Sequence, residues 1–157
     1  MKPNAFKLLK ILHLALLIGM FLFAMVSLII VLKGASALTG ESFQRTFQVV
    51  CIVLSLSCIL ASFNIFKRRI LAARNSTQPA NKRMEQYRSA CITWWAMIEG
   101  PGLLAGIGFL LSGNFAFFAL AVVHILIMIT FTPRKGNIIL FLNLNSKEVT
   151  QLEGVNA

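Results

Sequence analysis

The chain has 157 residues, of which 57% are hydrophobic and 13% charged, and a mean hydropathy of +0.78. A soluble domain averages about half apolar and about a quarter charged residues, so this composition excludes a soluble nucleic-acid binder and an intrinsically disordered chain despite a net charge of +10. Three cysteines do not make a disulfide scaffold, and 157 residues fit one domain.

A helix needs about 20 apolar residues to cross the hydrocarbon of a bilayer. Four runs meet or approach that length, which predicts helices and not a barrel, because the runs are continuous rather than alternating. The first, 11–32, is uncharged and follows a basic arm with Lys2, Lys7 and Lys10. Ala35-Ser36-Ala37 after it has the small-x-small pattern of a signal-peptide cleavage site. The run is longer than a usual signal-peptide core, so it is expected to stay as the first helix.

The second run, 47–66, is also uncharged. A stripe of Gln44, Gln48, Cys51, Ser55, Cys58 and Ser62 recurs at steps of four and three, one face of a helix. Small and polar residues on one face predict a helix contact or a wet path rather than lipid. Residues 67–89 form a basic connection, with helix formers on both sides of a break at 75–81. Helices two and three are therefore expected to run past the bilayer before turning. The third run, 90–111, carries a single charge, Glu99. The three-residue turn 112–114 forces it into a tight antiparallel pair with the fourth run, 115–132.

Pro133 cannot continue the fourth helix. In the tail, 133–157, the apolar stretch 138–142 is expected to lie on the membrane surface or dock on the bundle. Asn145 and Glu148 have capping-box spacing, and Gly154 is placed to stop the short helix they begin. The fold class is thus all-α: a polytopic membrane protein with four transmembrane helices in an up-down bundle and a short cytoplasmic C-terminal helix. Of the 15 basic residues, 13 fall on the arm, the 67–89 loop and the tail. By the positive-inside tendency this puts both termini and the loop in the cytoplasm, in a cell inner membrane.

Candidate chemistry comes down to a few polar residues. An intramembrane carboxylate costs roughly 2.5–3.5 kcal/mol on insertion scales. Glu99 is therefore expected to face the bundle interior, a cavity or a partner, either holding one interhelical hydrogen bond or carrying a proton or cation. Pro101 has no N–H, so the Met97 carbonyl loses its helical partner. Free carbonyls beside a carboxylate are how broken transporter helices coordinate ions, and a kink that only serves packing is the plainer alternative. Gly102 and Gly106 form a GxxxG pair on the Glu99 face that favours close helix packing. His124 and Ser55 fall at a similar depth to Glu99, which allows a Glu–His contact without requiring it. Cys58 and Ser62 read as packing residues. Trp94 and Trp95 read as interface anchors.

Several chemistries find no support. Cys51 and Cys58 are seven residues apart, about 10.5 Å along a helix, too far for a disulfide. No C-x-x-C, G-x-S-x-G, H-E-x-x-H or P-loop occurs. His13 and His124 differ in depth by roughly 9 Å, against a bis-His haem. No metal or cofactor is expected.

The segment 47–113 resembles the helical hairpin of the rotary ATPase proteolipid, ATP synthase subunit c. That hairpin has a polar loop with Arg-Gln-Pro and a second helix with Ala-x-x-Glu-Ala/Gly. Here the loop has Arg74 and then Gln78-Pro79, and the second helix has Ala96-Met97-Ile98-Glu99-Gly100. The resemblance implies that Glu99 is a proton- or sodium-carrying carboxylate. It covers under half the chain, and Cys and Ser stand where the proteolipid's first helix has a glycine repeat.

The expected function is a small integral membrane protein, a subunit of a membrane complex or a homo-oligomer, handling protons or cations through Glu99. The alternative is a non-catalytic scaffold or assembly subunit that docks partners through its basic loop and tail. Lys67, Arg68, Arg69, Arg134 and Lys135 would form the surface for a partner or for the lipids of an anionic leaflet. Nucleic acid is not an expected partner, and an enzymatic role is the least favoured class.

Overall fold

The computed structural model describes residues 4–34 and 40–154. Lys2 and the signal-like Ala35-Ser36-Ala37 lie outside the described residues. Within them the chain is all-helical, with six helices and no strand. Helix α1, Ala5–Leu32, starts at Asn4, whose side chain accepts hydrogen bonds from the Phe6 and Lys7 N–H groups. Helix α2, Glu41–Arg74, and α3, Ala80–Ser112, are joined by residues 75–79. Helix α3 ends at Gly113, which takes a left-handed φ of 66° that a side chain would resist. Asn114 then caps α4, Phe115–Thr130. Helix α5 is Lys135–Leu142, and α6 is Ser146–Glu153. The Asn145–Glu148 capping box forms as expected, and Gly154 ends α6 at φ 73°.

Three helices, α1, α2 and α3, are long and apolar enough to cross a membrane, or four spans are present if α4 and α5 count as one. The expected connection at 67–89 is mostly helix: α2 has 34 residues and α3 has 33, each about 50 Å long at 1.5 Å per residue. The fourth run departs from expectation. Helix α4 has only 16 residues, about 24 Å, against a hydrocarbon core of about 30 Å. The cause is local. Pro133 offers no N–H, the Thr132 N–H bonds instead to the Ile129 carbonyl in a tighter turn, and the chain swings by 71° into α5.

Packing is centred on α3, which α2, α4 and α1 each meet along its length, while α1 also touches α4. Helices α1 and α2 hardly touch each other. The sequence explains this. Helix α3 buries residues on most sides, including Ala90, Gly102, Ala105, Gly106 and Gly108, so neighbours can approach it closely. Helices α1 and α2 instead point Leu22, Val26, Ile29, Val53, Leu56 and Leu60 outward. The α2 stripe turns inward: Cys51, Ser55 and Ser62 are buried and Cys58 is partly so.

The start of α1, the start of α3 and the tail meet at one end of the molecule. Lys135 lies over the Phe6 ring at 5.9 Å, and Ile138 and Leu142 of α5 are fully buried. Arg83, counted in the sequence only as a loop charge, is 8% exposed. Its Nη1 donates to the Leu142 carbonyl at 2.8 Å, and its Nη2 donates to the Glu148 carboxylate. The tail is thereby fastened to α3. Trp94 and Trp95 are buried in the core and are not lipid-facing anchors. Trp94 stacks on Phe66 at 4.7 Å, and Trp95 meets the edge of His13 at 4.9 Å. An indole in the inner register 87–91–94–98 of α3 finds neighbouring helices before it finds an interface.

Candidate functional site at Glu99

Helix α3 presents Glu99, Gly102 and Gly106 on one face, at i, i+3 and i+7. At both glycines a neighbouring helix comes close to α3. A Cβ at Gly102 would stand 2.8 Å from Met20 Cε and 2.9 Å from His124 Cβ, and one at Gly106 would stand 2.5 Å from Phe23 Cε1. The face therefore belongs to the seam with α1 and α4. One turn earlier, at Glu99, the seam opens: Glu99 is only partly buried, and its neighbour Gly100 meets nothing within 4 Å.

Glu99 makes no hydrogen bond and no ion pair with the described residues. The three ion pairs among them are Lys82–Glu85, Arg83–Glu148 and Lys135–Glu153. His124 does not reach Glu99. It is fully buried, and its Nδ1 donates to the Leu120 carbonyl of its own helix at 2.9 Å, leaving Nε2 without a partner. A ring nitrogen that faces a carbonyl donates to it, so Nδ1 carries a proton.

The other two residues of the expected ion site lie elsewhere. Pro101 is two residues from Glu99, which turns it about 160° away around the helix. That opposite side faces α2 together with the ends of α4: a Cβ at Gly108 would meet Phe117 of α4 at 2.7 Å and Phe47 of α2 at 3.0 Å, and Trp94 packs on Phe63 and Phe66 of α2. Ser55 is on α2, buried, with an unpartnered Oγ. Helix α3 thus stands between Ser55 and Glu99, and the four residues do not gather into one site. Among the packing residues, Ser62 Oγ donates to the Ile59 carbonyl at 2.7 Å. No group of three or more His, Cys, Asp or Glu among the described residues is placed to hold a metal ion.

The basic residues are exposed as expected at Lys67, Arg68, Arg69, Arg134 and Lys135. Arg69 donates to Thr93 Oγ1 at 2.8 Å and Lys135 pairs with Glu153, which leaves Lys67, Arg68 and Arg134 unpaired among the described residues. Two residues with clear structural roles escaped the sequence reading. Arg83 sits three and four residues from Ala80 and Tyr87, in register with the buried face of α3, and that register was the available signal. His13 donates from Nε2 to the Met128 carbonyl at 3.1 Å, one of the carbonyls the end of α4 leaves without a helical partner. Nothing local in the sequence joins residues 13 and 128.

Comparison of the chain with family models, with curated proteins and with solved structures finds no match.

Proposed function

We propose that the protein is a multi-pass integral membrane protein that works as one part of an assembly, with itself or with another membrane chain, and that Glu99 handles a proton or cation at the boundary between chains. On this reading the molecule spans a cell inner membrane four times with both termini inside. The observation that carries it is the isolation of Glu99: a carboxyl in an apolar stretch, partly exposed, with no polar partner among the described residues. A lone carboxyl among lipid tails is costly, and a polar or cationic partner on a second chain offsets that cost. The open space at Gly100 leaves room for a close helix there. The proteolipid resemblance fits the same role for Glu99. The scaffold alternative has less behind it, because the tail is held by its own chain at Arg83.

The test uses Gly100→Cys in a cysteine-free background, oxidised in native membranes. A cross-linked product is expected at this position and not with Leu56→Cys on the outer face of α2. Glu99→Gln keeps the shape of the side chain and removes its titration. It is expected to fold normally, to resist a hydrophobic carbodiimide that labels the wild type, and to lower proton or sodium flux in proteoliposomes. No product at residue 100, together with unchanged flux in Glu99→Gln, would reduce Glu99 to a packing residue.

A further inference from the structure

A cavity of about 670 Å³ opens between α2, α3 and the α4–α5 bend, at the end of the molecule where the tail docks. Its inner wall is aromatic. Phe66 stacks on Trp94 at 4.7 Å, Phe131 meets Trp94 edge-on at 4.5 Å, and Phe63 closes the group at 5.3 Å from Phe131. Its rim carries Lys67, Arg74 and Arg134, none of which has an ion-pair partner among the described residues, and no acidic residue among them lines it. Trp94 and Trp95 also line it; they are 4% and 1% exposed, and neither indole Nε1 has a hydrogen-bond partner. Buried indole N–H groups are usually satisfied.

Three unpaired cations select an anion, and an aromatic wall of this size selects an apolar body. A volume in the range of small-molecule sites holds a headgroup and the first part of a chain. We infer that the cavity binds an anionic phospholipid, its phosphate on Lys67, Arg74 and Arg134 and its acyl chain along Phe63, Phe66, Trp94 and Phe131. Water-soluble phosphate shares the headgroup chemistry but has no use for the aromatic wall. The bend that makes the cavity follows from Pro133, and the bend also places Arg134 on the rim. This inference rests on the membrane reading proposed above.

The protein's two tryptophans both line the cavity, so their fluorescence reports on it directly. The experiment places the full chain in phosphatidylcholine nanodiscs and titrates in bromine-labelled phosphatidylglycerol or, separately, bromine-labelled phosphatidylcholine. Half-quenching is expected at a mole fraction of the anionic lipid at least about tenfold lower, since each of the three cations contributes about 1 kcal/mol. The preference should disappear in Lys67→Gln/Arg74→Gln/Arg134→Gln and persist in Lys10→Gln/Lys147→Gln, whose charges lie outside the cavity. Sodium phosphate at constant ionic strength should not reverse the quenching.

Equal quenching by the two lipids in the wild type would overturn the assignment, and so would full reversal by phosphate or equal loss in both variants. The wild-type titration decides the matter even if the triple variant does not fold. A chain that fails to enter nanodiscs at all would instead sink the membrane reading, and this inference with it.

Discussion

Arg83 shows how much one side chain does at the tail end of the molecule. Its guanidinium satisfies the last carbonyl of α5 and the capping carboxylate of α6 together. Hydrogen bonds to charged groups contribute about 1.5–3 kcal/mol, so Arg83→Leu should release α5 and α6 from α3. Faster amide exchange over residues 135–153, with α1–α3 unchanged, is the expected readout. Arg83→Lys should recover only part of the protection, since a point charge cannot serve both partners as a planar fork does. The Asn145 N–H holds the Glu148 carboxyl below its ordinary 4.5; burial pushes the other way by less, and Arg83 adds to the lowering through its hydrogen bond and its charge. A depressed folded value contributes stability above the unfolded value, and that contribution is lost as pH falls through the folded one. Tail protection, corrected for intrinsic exchange, should therefore be flat from neutral pH down to about 5 and fall below about 4. A tail that loosens on raising the pH instead would exclude this linkage.

At the scale of the helix, the glycines of α3 divide by surroundings. Gly102→Ala must push His124 Cβ, an atom close to the backbone, from 2.9 Å. Overpacking of this kind costs about 1–3 kcal/mol. Within a single copy of the chain Gly100→Ala meets no described residue within 4 Å and gains helix propensity of about 1 kcal/mol. Thermal unfolding in detergent should drop for the first and hold or rise for the second. Equal behaviour would mean that α1 and α4 do not close on α3 at Gly102. The helices, their turn glycines and the α6 capping box were legible in the sequence because each is written in neighbouring residues. Composition and the 3.6-residue period identify the apolar runs, and Gly113, Pro133 and Gly154 mark the stops. The site was less legible. Glu99 stood out as a lone charge, but its partners were drawn from equal depth, and depth says nothing of rotation. Pro101 turns away from Glu99 and Ser55 lies behind α3, because the seams were chosen by long-range packing of Met20, Phe23 and Phe47 against glycines. The roles of Arg83 and His13 depend on carbonyls freed at helix ends 59 and 115 residues away, beyond any local pattern.

For the whole molecule, the proposed topology rests on the basic residues and on the gathering of the α1 start, the 75–79 turn and the tail toward one side. Reporter fusions after Gln78 and after Gly154 should both report the cytoplasm, and one after Gly40 the opposite side. A fusion after Gln78 that reports the opposite side would remove the four-span arrangement. The central place of α3 has a consequence in time as well as space. The helix that α1 and α2 both need is made after them, and they hardly touch each other. During synthesis they wait as two separate apolar rods, with the His13 imidazole lacking its Met128 carbonyl and the α2 stripe lacking its cover. At roughly 5–20 residues per second, the 33 residues of α3 take a few seconds to appear. On the membrane reading proposed above, those seconds are when the nascent chain is open to insertion factors and membrane proteases, and a stall before Ser112 leaves α1 and α2 without the complete helix they pack on.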